Sequence, residues 1–277
     1  MKQYNSRRGG EGRRERRFDD RRERFVPAVE QEEDETRLEG RNAVTEALRA
    51  GRTIDKVFVA DGDIDAGLQR LVAQAKEAGA VVVSVDRRKL DQMSTTHSHQ
   101  GIIAQAAAHE YATLDDILEE AASRGEQPLS VICDELSDPH NLGAIVRTAE
   151  CAGAHGVIIP KRRSVGLTAT VAKASSGAVE YMKVARVTNI AAAIRELKEK
   201  GVWVFGTAAE GSEVMYRADL TGSTAIVIGN EGDGISRLVR ENCDVMVHIP
   251  MSGRISSLNA SNAASILLYE AVRQRLG

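Results

Sequence analysis

The chain has 277 residues, 42% of them hydrophobic and 28% charged, with a formal net charge of −3. That is the composition of a globular protein with one or two ordinary cores. No apolar run reaches the length of a membrane span and the amino terminus has no apolar signal-peptide core, so a cytoplasmic protein is expected. Aromatic residues, at 4%, are too few for a base-stacking platform to be the main binding device.

Residues 1–37 read as a disordered tail. Ser6 to Phe25 is packed with arginine and Glu30 to Glu35 is acidic, leaving too little apolar surface to offset the entropy of ordering. The segment reads either as a solubilising tail or as an arm that adds non-specific contacts with RNA phosphates. From Leu38 the pattern becomes periodic. Arg41 to Ala50 predicts a helix, Lys56 to Ala60 a strand, and Asp65 to Ala78 a helix with Leu68, Leu71, Val72 and Ala75 on one face. Val81 to Asp86 predicts a strand, Arg87 to Met93 a short helix, and Gly101 to Ala108 a last strand. Residues 38–108 therefore predict a small α/β unit, and 109–128 a polar connector with one short helix around Leu114, Ile117 and Leu118.

A longer alternation fills 129–277. Strands are predicted at Ser130 to Cys133, Val157 to Pro160, Val184 to Val187, Val202 to Thr207, Ala225 to Gly229 and Val245 to Pro250. Helices are predicted at Leu142 to Ala152, Thr168 to Ser176, Ile190 to Lys200, Ser236 to Glu241 and Asn259 to Leu276. Short apolar strands separated by helices predict an α/β fold with a parallel sheet covered on both faces. Ligands of such sheets sit beyond the carboxyl ends of the strands.

Three loops at those ends carry the chemistry. In the first, Asp134 to Ala154, Pro139 and Gly143 fix a turn into a helix that Asn141 is placed to cap. Arg147 then falls on the first turns, where the helix dipole opposes a cation. It reads either as an anchor for Asp134 or Asp138 or as a guanidinium held toward an anionic substrate such as an RNA phosphate. In the second, Ile226 to Ser236, Gly229, Gly232 and Gly234 permit a sharp turn and close approach of a ligand. Their spacing matches neither a Walker A nor a dinucleotide fingerprint, and Glu231 and Asp233 repel phosphate. Taken alone, the loop reads first as an ordinary strand-to-helix turn, and otherwise as a site better suited to an adenosine carrying a cationic sulfonium than to a phosphate. In the third, Ser256, Ser257 and Asn259 precede an apolar helix, more polar groups than a single cap requires. Neither a nucleophile elbow nor a set of metal ligands is present: His97 and His99 lack further ligands nearby. Cys133, Cys151 and Cys243 are widely spaced with no Cys-x-x-Cys, which argues against a disulfide framework or zinc site and reads as reduced, mostly buried cysteine.

Taken together, Asp138-Pro139-His140-Asn141 with Arg147, the loop from Ile226 to Ser236 and the stretch from Ile249 to Ala271 resemble the three motifs of the SpoU (TrmH-like) RNA 2′-O-ribose methyltransferases of the SPOUT superfamily. Leu38 to Leu48 and His97 to Gln105 are similar to the amino-terminal substrate-binding domain of the large-subunit rRNA members. The resemblance implies a SPOUT α/β-knot, with a deep carboxy-terminal trefoil knot, and S-adenosylmethionine bound through backbone groups at Gly229, Ile249 and Leu258. It also implies functional roles for Asn141, Arg147, Glu231, Ser257 and Asn259, no metal, and a homodimer acting on RNA. The third motif departs from the commonest Leu-Asn-Val-Ser-Val-Ala, since Asn262 replaces a valine.

The expected reaction is methylation of a ribose 2′-hydroxyl, with a guanosine of 23S rRNA as target. A tRNA ribose, or the rRNA site of thiopeptide resistance, is the enzymatic alternative. A catalytically inactive RNA-binding assembly factor is the alternative of another class. Arg147 is expected to bind phosphate and stabilise the oxyanion, because a guanidinium is effectively always protonated. The resemblance also leaves it open as the base.

Overall fold

The computed structural model describes residues 36–208, 213–230 and 232–277. The arginine-rich and acidic runs and Glu231 lie outside the described residues.

The amino-terminal unit is a four-stranded mixed sheet flanked by helices. Its elements are β1 (Arg37–Glu39), α1 (Arg41–Arg49), β2 (Ile54–Ala60), α2 (Ala66–Glu77), β3 (Val81–Val85), α3 (Arg87–Met93) and β4 (Ile102–Ala106). The strand order is β1-β4-β2-β3, with β2 and β3 parallel and both β4 pairings antiparallel. Val44, Val57, Leu68, Leu71 and Ile102 form its core. Asp65 caps α2 through Leu68 N at 3.1 Å and holds Arg41 with both oxygens at 3.0 and 2.6 Å, tying the two helices together.

β1 is a strand that the sequence pattern does not predict, being three residues long with two charged side chains. Pairing with β4 and one carboxylate hold it. Glu39 accepts from Ser94 Oγ at 2.7 Å, Thr95 N at 2.8 Å, Thr96 N at 3.1 Å and Thr96 Oγ1 at 2.5 Å. Burial raises the Glu39 carboxyl, but the hydrogen bonds from Thr96, Ser94 and Thr95 outweigh it and bring the pKa down to about 2.

The connector contains α4 (Leu114–Arg124), begun by a capping box between Thr113 and Asp116. Then follow β5 (Leu129–Cys133), α5 (Pro139–Cys151), β6 (Gly156–Pro160), α6 (Ala169–Ala174), β7 (Val184–Val187), α7 (Ile190–Glu199), β8 (Trp203–Thr207), β9 (Glu213–Val214), β10 (Thr224–Ile228), α8 (Arg237–Asn242), β11 (Val245–His248) and α9 (Ala260–Leu276). The seven strands run in the order β7-β6-β5-β10-β8-β11-β9, and all six neighbouring pairs are parallel. The two-residue edge strand β9 was not predicted either.

Every residue of β5, β6 and β10 is buried, as a sheet covered on both faces requires. The period of two divides them between two cores. Val131, Cys133 and Ile226 pack with Leu142 and Ile145 of α5 and Leu267 and Leu268 of α9. Ile132 and Val227 pack on the opposite face with Ile117 of α4 and Ile194 of α7. β10, though late in the chain, lies between β5 and β8, so the strand order reverses at the centre of the sheet. Arg275, near the end of α9, donates to the carbonyls of Gln127, Pro128, Leu220 and Gly222 at 2.7, 3.0, 3.2 and 2.6 Å, fastening the last helix to the segments that lead into β5 and β10.

Candidate functional site

The helix that carries Arg147 begins earlier than its apolar pattern indicates. Asp138 is the N-cap, accepting from His140 N at 2.9 Å, and Pro139 occupies the first helical position, a combination that starts helices because proline has no N–H to leave unpaired. Two expectations change as a result. Asn141 is not the cap but the third helical residue, and it is buried. Arg147 is the ninth of thirteen residues in α5, past the reach of the amino-terminal dipole that was expected to oppose it.

Arg147 also anchors neither Asp134 nor Asp138. Its Nη1 donates to Ser176 Oγ at 3.0 Å and its side chain is exposed. Ser176 holds that position with φ at +53°, a left-handed conformation that costs a non-glycine residue about 1 kcal/mol. Nothing local in the sequence singles out Ser176, because it is the packing of α6 on α5 that brings it to Arg147. Asp134 is buried and accepts from Ser236 N at 2.7 Å, so it pins the end of the glycine loop.

That loop forms one wall of a cavity of about 780 Å³ at the carboxyl ends of β8, β10 and β11. Gly229, Ile249, Ser257 and Leu258 all line it. The loop closes as a tight turn in which Asn230 N and Gly234 N each donate to the other residue's carbonyl at 3.1 Å. The Asn230 Oδ1 atom accepts from Gly232 N at 2.9 Å and Asp233 N at 2.7 Å. Gly229 is required by close approach, since a Cβ there would stand 2.1 Å from the Gly234 carbonyl carbon.

The third motif joins this cavity to the arginine helix. Asn259 caps α9, its Oδ1 accepting from Ser261 N at 2.9 Å, while its Nδ2 donates to Asn141 Oδ1 at 2.9 Å. Thr148 and Ser265 add a second polar link between α5 and α9 at 3.1 Å. The predicted residues thus fall into two groups: Gly229, Ile249, Ser257 and Leu258 around the cavity, and Asn141 and Arg147 along α5. Asn259 bridges them. Arg147 faces Ser176 and is not part of the cavity wall. Of the cysteines, Cys133 is buried and Cys243 half-buried, but Cys151 is exposed at the end of α5, contrary to the expectation that they are mostly buried.

Residues 128–269 match the model of the SpoU rRNA methylase family, and residues 37–112 match the model for RNA 2′-O ribose methyltransferase substrate binding. A Bacillus subtilis protein named for the TrmH family of tRNA/rRNA methyltransferases is 51% identical over 236 residues, covering 85% of this chain and 94% of that one. Among solved structures, the SpoU methyltransferase AviRb of Streptomyces viridochromogenes in complex with S-adenosylmethionine superimposes with a TM-score of 0.55 at 26% identity, over 87% of this chain and 90% of that one. A Sinorhizobium meliloti rRNA methyltransferase, also bound to S-adenosylmethionine, gives 0.56 at 27% identity, over 90% and 92%. With its carboxy-terminal sheet, its amino-terminal unit and more than four-fifths of its length matched in this way, the chain belongs to the SpoU family of RNA methyltransferases.

Proposed function

We propose that the cavity at Gly229, Ile249 and Leu258 holds S-adenosylmethionine and that the protein methylates a ribose 2′-hydroxyl of RNA, a guanosine of 23S rRNA being the target. One observation carries this reading. A cavity of about 780 Å³, within the range of cofactor sites, opens where the strand order reverses and is joined through Asn259 and Asn141 to the helix bearing an exposed arginine. The donor fits the residues present: main chain from the glycine loop can bind an adenosine closely, and Asp233 on the wall suits a cation better than a phosphate.

Bound there, S-adenosylmethionine supplies an electrophilic methyl on a sulfonium. The chain's own residues do the rest. Arg147, steadied by Ser176, binds an RNA phosphate and stabilises the negative charge that builds on the 2′-oxygen as its proton passes to solvent water and the methyl leaves the sulfur for the oxygen. Asn141 and Asn259 keep α5 and the third-motif loop in register, so the nucleophile and the donor meet in one geometry. Ser257 on the cavity wall and Glu231 of the glycine loop complete the proposed set. Residues 37–112, which match a substrate-binding model, capture the RNA. The threaded carboxy-terminal crossing is part of the same proposal, as is a homodimer supported by exposed apolar side chains at Ile255 (74%), Tyr269 (51%) and Ile266 (37%).

The test is mass mapping of 2′-O-methyl groups in rRNA from a strain lacking the gene, followed by in vitro restoration with the purified protein and labelled donor. Loss of one guanosine methylation that the protein restores is the expected result. An unchanged rRNA map would reject the rRNA assignment. Failure of the protein to bind the donor in calorimetry would reject the enzymatic reading.

A further inference from the structure

A buried polar cluster joins the amino-terminal unit to the edge of the large sheet, far along the strand order from the donor cavity. Its centre is Asp55 on β2. The pairing of β2 with β4 shifts register between Ile54 and Lys56, and a bulge of this kind re-aims a side chain out of its ladder. Arg186, on β7 of the large sheet, donates from Nη1 to Asp55 Oδ1 at 2.5 Å and from Nη2 to the Asp55 carbonyl at 3.1 Å. Tyr111, in the connector, donates to Asp55 Oδ2 at 3.0 Å and accepts from Leu167 N at 2.9 Å. The Arg186 guanidinium lies 5.2 Å from the centre of the Tyr111 ring.

The Asp55 and Arg186 side chains are each 5% exposed. No alanine could replace Gly166 beside them, since its Cβ would stand 2.4 Å from Asp55 Oδ2 and 2.7 Å from the Tyr111 hydroxyl. Main-chain bonds flank the cluster, Ala108 N to Leu167 O at 3.0 Å and Ala112 N to Val184 O at 2.8 Å. Burial raises the Tyr111 hydroxyl above its ordinary range, so it stays protonated and donates.

A buried ion pair is a poor way to gain stability over an apolar contact, but it tolerates far fewer arrangements than apolar packing does. An apolar seam between two units could slide. A guanidinium tied to both the carboxylate and the main-chain carbonyl of Asp55, with a tyrosine on the remaining carboxylate oxygen, cannot. From this geometry we infer that Asp55, Tyr111 and Arg186 are positioning residues: they hold the RNA-binding unit in a single orientation, so that RNA captured by residues 37–112 presents one ribose to Arg147 and the donor cavity. The inference rests on the function proposed above.

Two measurements on the full-length protein test it. Hydrogen exchange reads the latch without any RNA. The Ala108 and Ala112 amides should be protected in the wild type and exchange at least tenfold faster in Arg186→Met and in the milder Tyr111→Phe, which keeps the ring beneath Arg186. Amides of β5 and β10 should be unchanged. Methylation kinetics on a 23S rRNA fragment read the consequence: KM for RNA should rise at least tenfold in Arg186→Met, with kcat and the dissociation constant for S-adenosylmethionine changed less than twofold. Open-chain exchange at Ala108 and Ala112 in the wild type would overturn the latch. So would unchanged exchange in both variants, whereas accelerated exchange with no change in KM would overturn the positioning role. If the wild type methylates no RNA, the proposed function fails while the exchange data still decide the latch.

Discussion

Substituting Gly229 by alanine tests the cavity at its most constrained point. The added carbon would meet the Gly234 carbonyl carbon at 2.1 Å, Ile235 N at 2.3 Å and Gly234 O at 2.4 Å. Ordinary carbon contacts begin at roughly 3.5 Å, so the glycine loop must retreat by about 1.4 Å, and the obstacles are main chain that no rotamer can move. That retreat strains the two Asn230–Gly234 bonds at 3.1 Å and the Ser236 N–Asp134 bond at 2.7 Å. At about 1 kcal/mol per hydrogen bond, the distortion costs roughly 2–3 kcal/mol. Donor affinity should fall roughly 30- to 150-fold, since 1.4 kcal/mol corresponds to a factor of about ten. Calorimetric titration with S-adenosylmethionine and a thermal melt are the assays. Gly222→Ala is the control, because a Cβ there meets nothing within 4 Å. Wild-type donor affinity in Gly229→Ala, with a melting temperature matching the control, would refute the argument.

Three further outcomes follow from the geometry. Arg147→Ala should abolish methyl transfer to RNA while leaving donor affinity within twofold, because the side chain faces Ser176 and lies outside the cavity wall; retention of most activity would remove Arg147 from the reaction. Glu39→Gln should destabilise the amino-terminal unit by about 1–2 kcal/mol at neutral pH, allowing for solvent screening. Since folding lowers the Glu39 pKa from 4.5 to about 2, its contribution is complete above pH 4.5 and disappears as pH falls toward 2; wild-type and variant unfolding curves should converge across that window. Burial pushes both the Cys133 and Cys243 thiols up to about 12, whereas Cys151 is exposed. A thiol reagent at pH 8 should therefore titrate one of the three cysteines rapidly in the native protein and the other two after denaturation.

Much of the fold was legible because its strands are short apolar runs and its helices carry clear periodicity. What escaped was decided by chemistry outside that pattern. α5 was predicted from Leu142, where the apolar residues begin, although Asp138 and Pro139 already spelled out a cap and a first helical position. β1 has too few residues and too much charge to read as a strand, and it exists because β4 and the 94–96 turn hold it. The second and third motifs pointed to the cavity residues, since each falls at the end of a strand whose position the alternation fixes. The motifs could not show that Asn141 and Asn259, 118 positions apart, share a hydrogen bond. Ser176 was invisible for the same reason. Asp55 is a residue that strands disfavour, so the β2 prediction began one residue after it, and its partner Arg186 lies 131 positions away inside an apolar run.

The central place of β10 bears on how the chain is made. Synthesis delivers β5, β6 and β7 first and β8 next, so a nascent chain carries two open sheet edges facing an empty slot until residues 224–228 emerge. Unpaired apolar edges of this kind invite wrong partners. The clamp that Arg275 places on the carbonyls leading into β5 and β10 comes later still, from α9. The sheet therefore closes late in chain order, and ribosomes stalled before residues 224–228 leave the exit tunnel should carry a protease-sensitive product.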